Sequence, residues 1–188
     1  ALAGGEVRTV DVGELNGRIF VNNSSLGIYP DIVSRRDHER RRTGCNKWWA
    51  LARASTQALR RLPVLDLRIN TASGELRRST PFFFVGNNSY EVHFPGTGVR
   101  PRMDGGELCL FVGRSTTPFG MMRLAARAVA GRLEPAPDLD VIKATEVWVD
   151  TGRGQLTVSL DGEVMRLPPP LRFRVLPAAL RVLVPRGA

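Results

Sequence analysis

The sequence predicts a mainly β protein, an antiparallel β-sandwich carrying two helices. Three observations lead there. Apolar and polar residues alternate in short runs along much of the chain, as in half-buried strands. Glycine or proline turns separate most of these runs. Two segments alone have helical spacing, too few for the strand–helix alternation of a doubly wound sheet. With 188 residues and 43% hydrophobic content, the chain suffices for one domain with a sizeable core. No linker-like stretch divides it, so a single domain over residues 1–188 is expected.

In order, the expected strands are Val7–Val12, Arg18–Val21, Val64–Ile69, Pro81–Val85, Glu107–Val112, Val141–Val149, Gln155–Leu160, Val164–Leu167, Leu171–Val175 and Leu180–Val184. The first helix, Asn46–Leu62, carries Trp48, Leu51, Ala52, Ala58, Leu59 and Leu62 at helical spacing. The second, Pro118–Arg132, follows Thr117 as N-cap, with Pro118 at the first helical position and Gly131 near its end. Its expected apolar side holds Met121, Met122, Leu124, Ala125, Ala128 and Val129, with Arg123 and Arg127 outside.

The formal net charge is +9, from 27 basic and 18 acidic residues. That excess suits phosphates, an anionic membrane surface or nucleic acid, and composition does not choose among them. The low aromatic content, 7%, argues against base stacking, so no nucleic-acid partner is expected. No apolar run is long enough to cross a bilayer. The first residues lack a basic region followed by an apolar one, so no signal peptide is expected. The chain starts at Ala1 without methionine, which fits a piece of something longer. Cys45 and Cys109 make no CxxC pair, which leaves a reducing cytoplasm as the expected compartment.

His38 and His93 are too few and too isolated for a metal cluster. There is no Gly-x-Ser-x-Gly elbow and no Walker-type loop, and Gly96-Thr97-Gly98 lacks the third glycine of a dinucleotide fingerprint. Nothing in the chain suits it to hold ATP or NAD unaided.

One carboxylate stands out by position. Asp161-Gly162 lies between two alternating runs, a strong type I′ hairpin signal. A two-residue turn sets Leu160 opposite Glu163 and Val158 opposite Met165. One face then holds Leu156, Val158, Leu160, Glu163, Met165 and Leu167, with Glu163 its one charged member, at the rim. Partial desolvation there would suit Glu163 to proton abstraction. The same spacing fits a turn-flanking glutamate that bends out to water.

Several blocks, in order, resemble the second domain of bacterial diacylglycerol kinases and related lipid kinases. They are Phe20-Val21-Asn22-Asn23-Ser24-Ser25-Leu26-Gly27-Ile28-Tyr29, the Lys47–Arg61 helix, Pro81-Phe82-Phe83-Phe84-Val85-Gly86-Asn87-Asn88, Met103-Asp104-Gly105-Gly106-Glu107-Leu108 and Leu160-Asp161-Gly162-Glu163. The ending Leu171-Arg172-Phe173-Arg174-Val175 is also similar, and the resemblance runs from about Gly4 to Pro185. It implies a β-sandwich of the fold shared with NAD kinases and sphingosine kinases. It further implies ATP and Mg2+ as cofactors, with ATP held by an N-terminal domain through a Gly-Gly-Asp-Gly-Thr loop that does not occur here. The lipid headgroup would sit between the domains, with Glu163 as general base on its hydroxyl and Asp161, Asn87 and Asn88 beside it. Asp161 would mainly shape the turn, and all the loop asparagines would mainly fix backbones. The resemblance also implies a peripheral place at the inner membrane face and a possible homodimer.

One departure concerns metal. The family often has Asp-Asp-Gly where this chain has Asp104-Gly105-Gly106, and the second aspartate holds magnesium in some members. Gly105 has no carboxylate, so either Asp104 substitutes, with backbone carbonyls near Arg102 and Glu107 completing the site, or the ion site is lost. Arg35–Arg42 is the strongest charge cluster and precedes the helix beginning Trp48-Trp49. Trp49 is turned about 100° from the apolar stripe, so Arg40, Arg41, Arg42 and Trp49 suit an anionic membrane surface. A solvated loop before a core helix fits them too. Alternative functions are an NAD-kinase-like domain, against which Ser79-Thr80 runs into Pro81 instead of completing that family's Gly-Ser-Thr signature, and a non-catalytic module binding anionic lipid or nucleic acid.

Overall fold

The computed structural model of the chain describes residues 5–30, 62–89, 102–130 and 137–185. The expected first helix, Leu62 apart, lies outside these residues, as do Arg40, Arg41, Arg42 and Trp49. The described strands are β1 (Gly5–Leu15), β2 (Arg18–Phe20), β3 (Asn23–Gly27), β4 (Leu65–Thr71), β5 (Gly74–Thr80), β6 (Phe82–Asn87), β7 (Leu108–Gly113), β8 (Leu139–Ala144), β9 (Glu146–Asp150), β10 (Leu156–Leu160), β11 (Glu163–Leu167) and β12 (Leu171–Pro185). The helix α1 (Pro118–Val129) lies between β7 and β8, and residues 28–30 are also helical.

The strands form two six-stranded sheets, ordered β2-β1-β12-β9-β4-β5 and β11-β10-β3-β6-β7-β8. Every strand pairing within them is antiparallel. This is the expected sandwich. Alternation places the core: Leu65, Leu67 and Ile69 of β4 are buried while Asp66 and Arg68 between them are exposed. Phe83 and Phe173 meet across the sheets with ring centroids 6.1 Å apart. Strand β7 is buried at all positions, because Leu108, Leu110 and Val112 face the other sheet while Cys109 and Phe111 lie under α1. The helix begins as expected, with the Gly120 N–H donating to Thr117 Oγ1 at 3.1 Å. Its buried side is narrower than expected. Met121 and Leu124 pack on Cys109, Phe111 and Leu139, whereas Met122 and Ala125 are exposed.

Four strand expectations change. β3 reads as a polar loop, Asn-Ser-Ser-Leu-Gly, yet it is a central strand between β10 and β6. Pairing on both edges overrides its low intrinsic preference. β5 is charged because it is an edge strand, with Glu75 and Arg77 in water. The run Val141–Val149 is two strands meeting at Thr145. β8 pairs with β7 in one sheet and β9 with β12 and β4 in the other, so a uniform apolar pattern conceals a corner. The expected strands at Leu171–Val175 and Leu180–Val184 are one strand, β12, with a bulge. Its register against β1 steps from Val12↔Leu176 to Val10↔Leu180, leaving Pro177, Ala178 and Ala179 opposite Asp11.

Gly13 in β1 faces Phe20 in β2, and a Cβ there would stand 2.1 Å from the ring Cζ. The ring, fully buried, occupies the space that a side chain would need. Gly13→Ala should therefore destabilise the domain by about 1–3 kcal/mol in urea denaturation. Gly152→Ala, where nothing lies within 4 Å of the new Cβ, should leave the midpoint nearly unchanged.

Candidate functional site

Four short segments converge at one end of the second sheet: residues 21–23 leading into β3, 87–89 at the end of β6, 103–107 before β7, and the turn between β10 and β11. Antiparallel registers bring them together, since Ser24 pairs with both Leu160 and Val85, and Asn87 with Leu108.

The Asp161-Gly162 turn has the expected type I′ character, with φ of 46° and 91°. Leu160 pairs with Glu163, Val158 with Met165 and Leu156 with Leu167, the register read from the sequence. The Asp161 carboxylate accepts three backbone N–H bonds, from Val21 at 2.7 Å, Asn22 at 2.8 Å and Asn23 at 2.9 Å. It thereby fixes the segment entering β3 as well as its own turn.

Asn87 is fully buried, and its amide donates to the carbonyls of Asp11 (2.8 Å) and Val21 (2.9 Å). Asn88 takes a left-handed conformation, φ 68°, and its Oδ1 accepts the Gly105 N–H at 2.8 Å. Both side chains are committed to the framework of the loops, as a backbone-fixing role requires.

Asp11 is a residue that sequence reasoning missed. It is 2% exposed, set in β1 between the buried Val10 and Val12. Its Oδ1 accepts the Ala178 N–H of the β12 bulge at 2.8 Å, and its Oδ2 accepts the Gly106 N–H at 2.7 Å. Its own N–H donates to the Met103 carbonyl at 2.8 Å. The available signal was a carboxylate set between Val10 and Val12.

Asp104 and Glu107, the residues expected at the ion site, have other partners. Asp104 is largely exposed and bonds to Arg102 Nε at 3.2 Å. Glu107 Oε1 accepts from Ser89 Oγ at 2.6 Å and from Lys143 Nζ at 2.9 Å. The Ser89 hydroxyl, then the Lys143 ammonium, hold the Glu107 carboxyl below the usual carboxylate range despite some burial. A Cβ on Gly105 would stand 2.8 Å from Asn88 Oδ1. Among the described residues no three His, Cys, Asp or Glu side chains come together.

Glu163 begins β11, an edge strand, and is exposed. Its own domain thus does not supply the desolvation expected at that rim. It has a different distinction: among the described residues it is the one carboxylate with neither a hydrogen bond nor an ion pair.

The family of YegS C-terminal NAD kinase β-sandwich-like domains matches residues 27–184. The chain belongs to that family. Solved structures share the fold of this YegS-type domain. Two candidate diacylglycerol kinases from Bacillus anthracis str. Sterne superpose with TM-scores of 0.65, at 18% and 21% identity, over 94% of this chain and 56% and 57% of theirs. A diacylglycerol kinase from the same organism superposes with a TM-score of 0.57, at 16% identity, over 94% of this chain and 53% of its own. The chain spans just over half the length of these proteins. Asp161, Glu163, Asn87, Asn88, Asp104 and Glu107 all fall inside the span matched to the YegS family, while Asp11 precedes it.

Asp11→Asn is nearly isosteric but turns an NH2 toward one of two N–H donors that need an acceptor. It should cost about 2–3 kcal/mol in unfolding free energy and speed amide exchange at Gly106 or Ala178. Unchanged stability and exchange would remove Asp11 from the framework. Ser89→Ala tests the Glu107 cluster through pH. The folded Glu107 value is lowered, so its stabilisation is present above the ordinary carboxylate range and lost as pH falls through the folded value. The variant should melt below wild type at neutral pH, by less than about 1 kcal/mol, and converge with it as pH falls through the folded Glu107 value, below the ordinary carboxylate range.

Proposed function

We propose that this chain is the acceptor-side domain of an ATP-dependent lipid kinase. In this reading Glu163 is the general base on a lipid hydroxyl such as that of diacylglycerol. The observation that carries the reading is the state of that carboxylate. The other carboxylates among the described residues are held by arginine, lysine, serine or backbone N–H groups, as in Glu14 with Arg174 and Glu146 with Arg172. Glu163 alone keeps its lone pairs available, at the tip of a hairpin whose turn is clamped by three N–H bonds. A general base needs a free acceptor on a fixed mount.

Membership of the YegS family and likeness to structures called diacylglycerol kinases support the same reading. The chain has no glycine-rich phosphate loop, so the nucleotide belongs to a partner domain, expected on the N-terminal side. Closure of that domain over the loop cluster would exclude water from Glu163 and supply the desolvation that the free domain lacks. Glu163 then accepts the hydroxyl proton as the oxygen attacks, with Asp161, Asn87 and Asn88 as the adjoining wall. No described helix is long and apolar enough to cross a membrane, and in this reading attachment to the lipid surface is peripheral.

In the full-length enzyme, assayed with ATP, magnesium and diacylglycerol micelles, Glu163→Gln should lower kcat by about 10²–10⁴. Because Glu163 is exposed and unpaired, the melting temperature should hardly move. Near-normal kcat would remove Glu163 from the mechanism, and a collapsed melting curve would make it structural. The 188-residue chain alone should show background turnover only.

A further inference from the structure

We propose that the outer face of α1 is a membrane-contact surface. Phe119 and Met122 enter the interfacial layer of an anionic bilayer, and Arg123 and Arg127 meet its headgroups. This adds an attachment surface to the lipid-kinase reading and does not depend on Glu163 being the base.

The helix does not need these two residues for its own packing. Met121 and Leu124 already hold it to the sheet, 7% and 6% exposed. Phe119 is 74% exposed and Met122 57%, the two highest values among the large hydrophobic residues described. Scattered exposed hydrophobics are ordinary. Here the two most exposed of them stand three residues apart, on one face of one helix.

The charge carried by the helix itself has a single sign. Phe119, Arg123 and Arg127 follow one another at four-residue intervals along a row of the helix. No acidic residue occurs in α1. Arg123 is steadied by Asp138, and Arg127 has no carboxylate partner among the described residues. An aromatic and a thioether side chain beside guanidinium groups match the boundary between acyl chains and anionic headgroups.

Size also favours a bilayer over a protein. Twelve residues of helix extend about 18 Å, enough to lie on a membrane and too short to cross it. Two apolar side chains fall far short of the roughly 1,000 Å² that a stable protein interface buries.

The test is co-sedimentation of the 188-residue chain with phosphatidylcholine vesicles, with and without phosphatidylglycerol. Wild type should bind the anionic vesicles and release as salt rises. Phe119→Ser with Met122→Ser should weaken binding at least about tenfold. Both positions are exposed, so folding should survive, and circular dichroism checks it. Tryptophan fluorescence gives a second measurement: Phe119→Trp should add emission that lipids brominated along the acyl chain quench. Several results would overturn the proposal. They are absence of wild-type binding, unchanged binding by the double variant, no quenching at position 119, or a concentration-dependent dimer lost in the double variant without vesicle binding. That last result would assign the face to a second copy. Binding lost only on changing Arg40, Arg41 and Arg42 to Gln also counts against it. Failure of the kinase reading shows separately. In the full-length enzyme the double variant should still phosphorylate a short-chain diacylglycerol dissolved as monomers, whereas Glu163→Gln should not.

Discussion

The buried carboxylate of Asp11 is the constraint around which the loop end of the sandwich is arranged. A buried acceptor without donors is costly, so the chain must bring N–H groups to it. One comes from Ala178, in the bulge of β12, and the other from Gly106, in the loop before β7. The main chain of Asp11 is withdrawn from the strand ladder as well. Its N–H goes to Met103 and its carbonyl accepts from Asn87. The register slip between β1 and β12 follows. Asp11 makes no cross-strand pair, and three residues of β12 arch past it, with Ala178 at φ 51°. One side chain thereby ties a strand of the first sheet to the loops of the second.

From Asp11 the order passes outward through Asn87 to the segment 21–23, and from there to Asp161. Asp161 satisfies two conditions at once. The first position of a type I′ turn needs a residue that tolerates positive φ, which aspartate does better than most. Its carboxylate must also accept the N–H groups of Val21, Asn22 and Asn23 as they enter β3. Charged hydrogen bonds of this kind are among the stronger ones in a protein. They make the hairpin tip a firm mount and leave Glu163, two residues on, as the side chain not used in building it.

Much of this could be read from the sequence where the information is local. Alternation located the β4 core residues, and Thr117-Pro118 marked the start of α1. The Asp161-Gly162 pair fixed the register of Glu163, because a two-residue turn leaves no freedom. What stayed hidden depends on partners distant in sequence. Ser24 and Ser25 are in a strand because β6 and β10 flank them. Thr145 is a corner because its two sides pair in different sheets. Asp11 looks like a surface residue of an alternating strand until Gly106 and Ala178 are known to converge on it. The outward position of Met122 was also misread, since helical spacing gives a stripe but not its width.

The same arithmetic of partners bears on the chemistry. In a chain rich in arginine, most carboxylates find a guanidinium. Glu14, Asp138, Asp140 and Glu146 all do, and Glu107 finds Lys143 instead. A carboxylate held in this way is a poor proton acceptor, because the cation favours its charged form. Arg78 and Arg114 show the strength of the effect at Asp140: burial pushes that carboxyl up, and the two arginines still hold it below its ordinary range. With a net charge of +9, keeping one glutamate clear of every described cation requires a mount that points it away from them. The Asp161 clamp on an edge hairpin provides such a mount. The cost is exposure, since a carboxylate free of partners on an open rim also faces water. Its proton-accepting capacity is useful to an enzyme only once a second surface removes that water. In the lipid-kinase reading Glu163 is half of an arrangement, and the domain that binds the nucleotide supplies the other half.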